Sequence, residues 1–202
     1  MRWEERDYVL RLIQDFGRFL RALRDETGEL ARQMLLDGRC RTVCGMGLKA
    51  VDHLDEASLT ALLPEEARLS LSLLLAARAE VTARGEEERA RWQGKALRLM
   101  LASREDGAVC QALSDTADGL MRAAMDDLTA EELYACAGFF RSGGRMDLMD
   151  NAVFFLWETL PDRMAWRDRL TALYDGLDGD ALVGCGLTAA DIGESLSRLK
   201  DV

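Results

Sequence analysis

No segment of this sequence sustains a period-two alternation of apolar and polar residues, whereas in segment after segment the apolar residues recur at steps of three and four. Steps of three and four line one face of a helix and steps of two one face of a strand, so the chain is expected to be all-α. The clearest stripe is Val9, Leu12, Phe16, Phe19 and Leu23, widened by Ile13 and Leu20, with Arg6, Arg11, Asp15, Arg18 and Arg21 opposite. It predicts a first helix over 3–24. A coiled-coil seam would continue at position 26, where Glu26 stands, so the stripe is read as packing on the rest of the domain. Self-association as a homodimer through this N-terminal helix is the companion reading.

Only Pro64 and Pro161 interrupt the 202 residues, and Leu, Ala and Arg, all good helix formers, are the commonest of them. Beyond Gly28, residues 29–36 read as a short helix ending at Asp37-Gly38. Residues 39–55, with Gly45 and Gly47 close together, read as loop plus a short helix. From Pro64, with Glu65 and Glu66 in the first turn, a helix is predicted to about Arg84. Its Leu69, Leu71, Leu73, Leu74, Leu75 and Val81 cover more than half the circumference, which places it inside a bundle or stack. Helices follow over 86–103, with Trp92, Ala96, Leu99 and Met100 on one side, and over 108–125, with Val109, Leu113, Ala117, Leu120 and Ala124 inward.

Thr129 against Glu132 forms a capping box, with Leu128 and Leu133 set as a hydrophobic staple. The helix it opens should end at Ser142-Gly143-Gly144, a second should span 147–159, and others 162–177 and 188–200, the last capped by Thr188 and Asp191. The expected object is a single all-helical domain over 1–202 with three parts, 1–60, 64–126 and 128–202. Its eight or nine helices would stack as antiparallel hairpins into a short solenoid or irregular bundle.

Composition narrows the function classes. The net charge is −10, and residues 105–202 hold most of the excess, with 8 basic against 19 acidic side chains. Such a surface repels phosphate, so neither nucleic acid nor an anionic membrane is expected as a partner. No basic head precedes a long apolar run, and apolar stretches such as 73–77 are far below the roughly 18 residues a spanning helix needs. A cytoplasmic protein with reduced cysteines is the expectation, in keeping with an odd, scattered set at 40, 44, 110, 136 and 185.

Little in the sequence carries catalysis. Cys40 and Cys44, with the only histidine, His53, nine residues beyond, have the residue types and permissible spacing of a metal or redox site, short of a fourth ligand. The competing reading is an ordinary core, given Val43, Met46 and Leu48 nearby. No nucleophile elbow accompanies His53, and no glycine-rich phosphate loop occurs. The pairs Asp126-Asp127, Glu131-Glu132 and Asp147 with Asp150 lie where first-turn acids favour helix starts. No enzymatic activity and no cofactor are expected.

Residues 128–161 span 34 positions as helix, glycine turn, helix, proline, with small Ala137 and Gly138, then Gly144, Ala152 and Pro161. This unit resembles a tetratricopeptide repeat in length and punctuation. The opening Glu5-Arg6-Asp7-Tyr8-Val9-Leu10-Arg11-Leu12-Ile13 resembles the start of an uncharacterised bacterial family of domains of unknown function. Leu173-Tyr174-Asp175-Gly176-Leu177, Asp180-Ala181-Leu182 and Gly186-Leu187-Thr188 are similar to that family's end. The chain is longer than such relatives through 39–103. The resemblance implies an all-helical, repeat-like cytoplasmic protein and brings no catalytic residues.

Aromatic residues concentrate at Phe139, Phe140, Phe154, Phe155, Trp157 and Trp166. Neighbours on a helix point about 100° apart, so one of each Phe pair is expected to face a groove or partner. The functional expectation is a protein–protein interaction module that grips a protein or peptide partner, basic by charge complementarity. Its contact residues would be Tyr134, Phe140, Arg141, Arg145, Phe155 and Trp157. The alternative is a metal- or redox-responsive protein using Cys40, Cys44 and His53.

Overall fold

The computed structural model describes residues 3–82, 85–103, 107–177 and 179–200. The side chains at 3–10, 82, 180 and 181 also lie outside the description, and with them Val9 and Arg6 of the first stripe, much of the family-like opening motif and Asp180-Ala181 of the closing one. Among the described residues the chain is all helix, without a strand. Twelve α-helices form instead of eight or nine: α1 Trp3–Asp25, α2 Glu29–Cys44, α3 Leu48–His53, α4 Glu56–Leu62, α5 Glu65–Thr82, α6 Glu86–Leu101, α7 Gly107–Ala123, α8 Ala130–Ser142, α9 Met146–Thr159, α10 Arg163–Ala172, α11 Gly179–Gly184 and α12 Ala189–Lys200. The helices with no counterpart in the sequence reading are α4 and α11, of seven and six residues, whereas the six-residue α3 is the short helix expected within 39–55. Helices of less than two turns show no period to read in a sequence.

Residue contacts divide the chain into two compact units, Met1–Arg104 with Gly119–Asp127, and Glu105–Asp118 with Leu128–Val202. In the first, α5 is the central rod, packed against α1, α2 and α6. Leu69, Leu71, Leu73, Leu74 and Leu75 are all buried, as predicted for a helix apolar on most sides, whereas Val81 is only half-buried and the expected end at Arg84 lies outside the described residues. Each buried leucine contributes roughly 1.5–3 kcal/mol of transfer free energy. Ser72, fully buried in this face, satisfies its hydroxyl by donating to the Ala96 carbonyl at 2.6 Å. Trp92, Ala96, Leu99 and Met100 of α6 are buried against it.

Two segments depart from the sequence reading. The second helix does not stop at Asp37-Gly38 but runs through to Cys44, so residues 39–44 are helix and not loop, and the short helix expected within 39–55 is α3. A mid-helix glycine costs up to about 1 kcal/mol relative to alanine. Against that cost, Leu36 and Cys40 bury the same face one turn apart, and Asp37 accepts from Arg41 at 2.8 Å. The helix stops where the backbone turns left-handed, at Gly45 with φ 70°, whose N–H reaches the Arg41 carbonyl. Asp37 also accepts from the Leu48 N–H at 2.8 Å, which fixes the start of α3. The second departure is α10, which ends at Ala172 instead of near Leu177, as tight turns lead into Gly176 at φ 72°.

In the second unit α8 and α9 pack on each other, α12 packs on α9, and α10 packs on α12. The predicted capping box is present: Thr129 Oγ1 accepts from the Glu132 N–H while Glu132 accepts from the Thr129 N–H at 2.8 Å. Thr188 and Asp191 repeat the arrangement for α12, with the Thr188 N–H donating to Asp191 at 2.7 Å. The turn between α8 and α9 uses both its glycines. Gly144 takes φ 73°, and Gly143 lies so close to α7 that a Cβ there would meet the Cys110 carbonyl carbon at 2.8 Å.

Candidate partner-binding groove

Within the second unit, α9 and α12 flank a hollow of 230 Å³ lined by side chains from 150–157, Tyr174 and 195–199. Its spacing follows from helical periodicity: Asp150, Val153, Phe154 and Trp157 recur at steps of three and four on α9, and Ser195, Arg198 and Leu199 at the same steps on α12. Trp157 and Leu199 are buried in its floor, while the Phe154 ring is 44% exposed. Arg198 sits 5.7 Å from that ring and donates to Glu194 at 2.6 Å, which holds its guanidinium over the aromatic face. Tyr174 donates to Asp150 at 2.6 Å. Burial, together with that carboxylate, pushes the Tyr174 hydroxyl well above the usual phenol range, so it stays a donor.

The six expected contact residues scatter. Trp157 alone lines the hollow. Phe140 is fully buried and offers no surface, which corrects its assignment as a contact residue; its neighbour Phe139 is buried as well, because α8 is covered on both of the faces these rings occupy. Phe154 rather than the half-buried Phe155 is the exposed member of the second pair. Tyr134 meets Trp166 edge-on at 5.9 Å, and Arg169 lies 4.4 Å and 4.2 Å from their two rings while bridging Glu131 at 2.7 and 2.8 Å, a clasp between α8 and α10. Arg141 donates to the Asp175 carbonyl at 2.7 Å. Arg145 is held by Asp147 at 2.8 and 2.9 Å and by Asp115 at 2.5 Å. These arginines brace the unit. The residues that sequence reasoning missed are Asp150 on α9, Tyr174 in the turns after α10, and Ser195 and Arg198 on α12, three segments that no local spacing joins.

The first unit has two larger hollows, of 400 and 410 Å³, that share Asp52 and Trp92. Several of their charged groups are paired or held by backbone carbonyls. Arg78 lies 3.7 Å over the Trp92 ring and makes a two-pronged bridge to Asp52 at 2.6 and 2.9 Å. Lys95, almost buried, donates to the carbonyls of Val51 and Leu54 and so closes the end of α3, and burial lowers its pKa. Arg98 pairs with Glu56 and the Asp127 carbonyl. This network ties the short helices α3 and α4 to the α5–α6 pair.

The metal reading of Cys40, Cys44 and His53 is not supported by the geometry. Cys40 and Cys44 do meet, with sulfurs 3.5 Å apart, but His53 is exposed at the end of α3, and no group of three or more His, Cys, Asp or Glu able to hold an ion forms among the described residues. No helix among them is long and apolar enough to cross a membrane. No family model, curated protein or solved structure matches this chain.

Proposed function

We propose that the chain is a non-enzymatic helical protein–protein interaction module whose second unit receives a segment of a protein or peptide partner in the α9–α12 groove. The observation that carries this reading is Phe154, a large ring 44% exposed at the lip of a hollow floored by Trp157. Aromatic anchors beside well-packed hollows are where binding energy concentrates. The acidic excess of residues 105–202 favours a basic segment and disfavours nucleic acid or an anionic membrane. A tetratricopeptide-like arrangement of helix pairs belongs to the same proposal, supported by Ala137 and Ala152 buried on α8 and α9 and by the left-handed Gly144 between them. So do a cytoplasmic setting and kinship with the uncharacterised bacterial family resembled at the two ends.

The test uses two fluorescein-labelled amphipathic peptides that share an apolar face and differ in carrying Arg or Glu on the other. The Arg peptide should bind saturably, and Phe154→Asp should weaken it at least about 30-fold, the loss of one anchor worth about 2 kcal/mol. Equal binding of both peptides, or indifference to Phe154→Asp in a chain of unchanged helicity, would overturn the reading.

A specific observation also favours the companion reading of a homodimer through α1. Among the described side chains of its apolar stripe only Leu23 is buried, while Leu12, Ile13, Phe16, Phe19 and Leu20 are half-buried, and Leu30 and Met34 on α2 are 72% and 68% exposed. Sedimentation of the intact chain at twice its 22.5 kDa would support a second copy there, and a monomer at every concentration would remove it.

A further inference from the structure

The last turn of α2 carries the Cys40–Cys44 pair, and the two sulfurs differ in access. Cys40 is fully buried, Cys44 is half-exposed, and their Sγ atoms lie 3.5 Å apart, with the Cys44 thiol donating to the Cys40 carbonyl at 3.0 Å. The other three cysteines are placed differently: Cys110 and Cys136 are buried, and Cys185 donates to the Gly144 carbonyl in the second unit.

We propose that Cys40 and Cys44 form a peroxide-oxidisable dithiol, with Cys44 as the attacking and Cys40 as the resolving sulfur. The site is separate from the groove and stands whether or not a partner binds there. Cys44 Sγ attacks one oxygen of a hydroperoxide: the S–O bond forms, the O–O bond breaks, and the departing oxygen leaves as water with the thiol proton. Cys40 Sγ then attacks the sulfenic sulfur: the S–S bond forms, the S–O bond breaks, and the hydroxyl departs as a second water with the Cys40 proton. Two thiols lose two electrons and one peroxide gains them. The order follows from access, because oxidant reaches Cys44 first and Cys40 is already in contact when the sulfenic acid appears. The hydrogen bond from Cys40 holds Cys44 below the ordinary thiol value of 9.0, and the same contact, with burial, pushes Cys40 above it.

The helix has to yield for the bond to close. Cβ atoms one turn apart on a helix are about 5–6 Å from each other, whereas a disulfide needs about 3.5–4.5 Å. The turn that must give is the one ending at Gly45, and it bears the Gly45 N–H to Arg41 carbonyl bond and the Asp37–Arg41 pair. Asp37 is also what holds the Leu48 N–H at the start of α3, so oxidation would loosen the α2–α3 junction.

The experiment treats the reduced intact chain with stoichiometric hydrogen peroxide, blocks residual thiols with N-ethylmaleimide under denaturing conditions, and maps tryptic peptides by mass spectrometry. Trypsin cuts at Arg39, Arg41 and Lys49, so the two cysteines fall in separate peptides, 40–41 and 42–49. Expected are a fall in titratable thiols from five to three, a 40–41/42–49 cross-link, and faster amide exchange at 45–48 in the oxidised chain. Cys44→Ser, a near-isosteric change at a half-exposed site, should keep its remaining thiols under the same treatment. Five surviving thiols in the wild type, a cross-link to any other cysteine, Cys44 advancing to sulfinic acid without a cross-link, or thiol loss unchanged in Cys44→Ser would each overturn the proposal.

Discussion

Arg145 stands between two carboxylates, and of them Asp147 is the less exposed, at 28% against 89% for Asp115. The guanidinium beside Asp147 holds its carboxyl below the ordinary value of 3.8, as Arg41 and the Leu48 N–H do for Asp37 and the Thr188 hydroxyl and N–H do for Asp191. In each case the unfolded chain binds the proton first as pH falls. The stabilisation is therefore complete above the ordinary carboxylate value and disappears as pH drops through the lower folded values. Thermal midpoints measured between pH 6 and pH 2 should hold steady and then fall below about pH 4. Asp147→Asn should make that fall shallower, and a midpoint that rises on acidification would contradict the assignment. At this scale local chemistry was legible in the sequence and distant pairing was not. Thr129 and Glu132 cap one helix start from three residues apart, whereas Asp150 and Tyr174 meet across 24 positions. Phe139 and Phe140 show the limit of a one-helix argument, since neighbours 100° apart are both buried when α8 is covered on two sides.

The helices α1, α5, α6 and α7 were legible from apolar spacing, and α8, α9, α10 and α12 from the caps, glycines and prolines that bound them. Continuation through a glycine was not. Gly38 reads as a stop, yet α2 passes through it because burial of Leu36 and Cys40 outweighs a penalty of about 1 kcal/mol. Gly38 is exposed in a helix interior, and a Cβ built there meets nothing within 4 Å. Gly38→Ala should therefore stabilise the chain by about 0.5–1 kcal/mol, read as a rise in thermal midpoint of a few degrees. A lowered midpoint would mean that the backbone at 38 is not helical. Gly45 is the true end, and alanine there would have to adopt a left-handed φ of 70°.

For the whole molecule the sequence expressed the class of fold, all helix, because periodicity and the scarcity of proline act on every segment alike. It did not express which faces meet. The groove is made by α9 and α12, separated in the chain by two other helices, and no composition or spacing rule joins them. The reading of the chain as an interaction module rests on that juxtaposition. The most direct test is a ¹⁵N–¹H correlation titration of the intact protein with the Arg-bearing amphipathic peptide, following the indole N–H signals of its tryptophans. The Trp157 indole and the backbone amides of Phe154, Tyr174 and Arg198 should shift together and saturate, while the Trp92 indole stays in place. Shifts centred on Trp92, or none at any peptide concentration, would contradict the account.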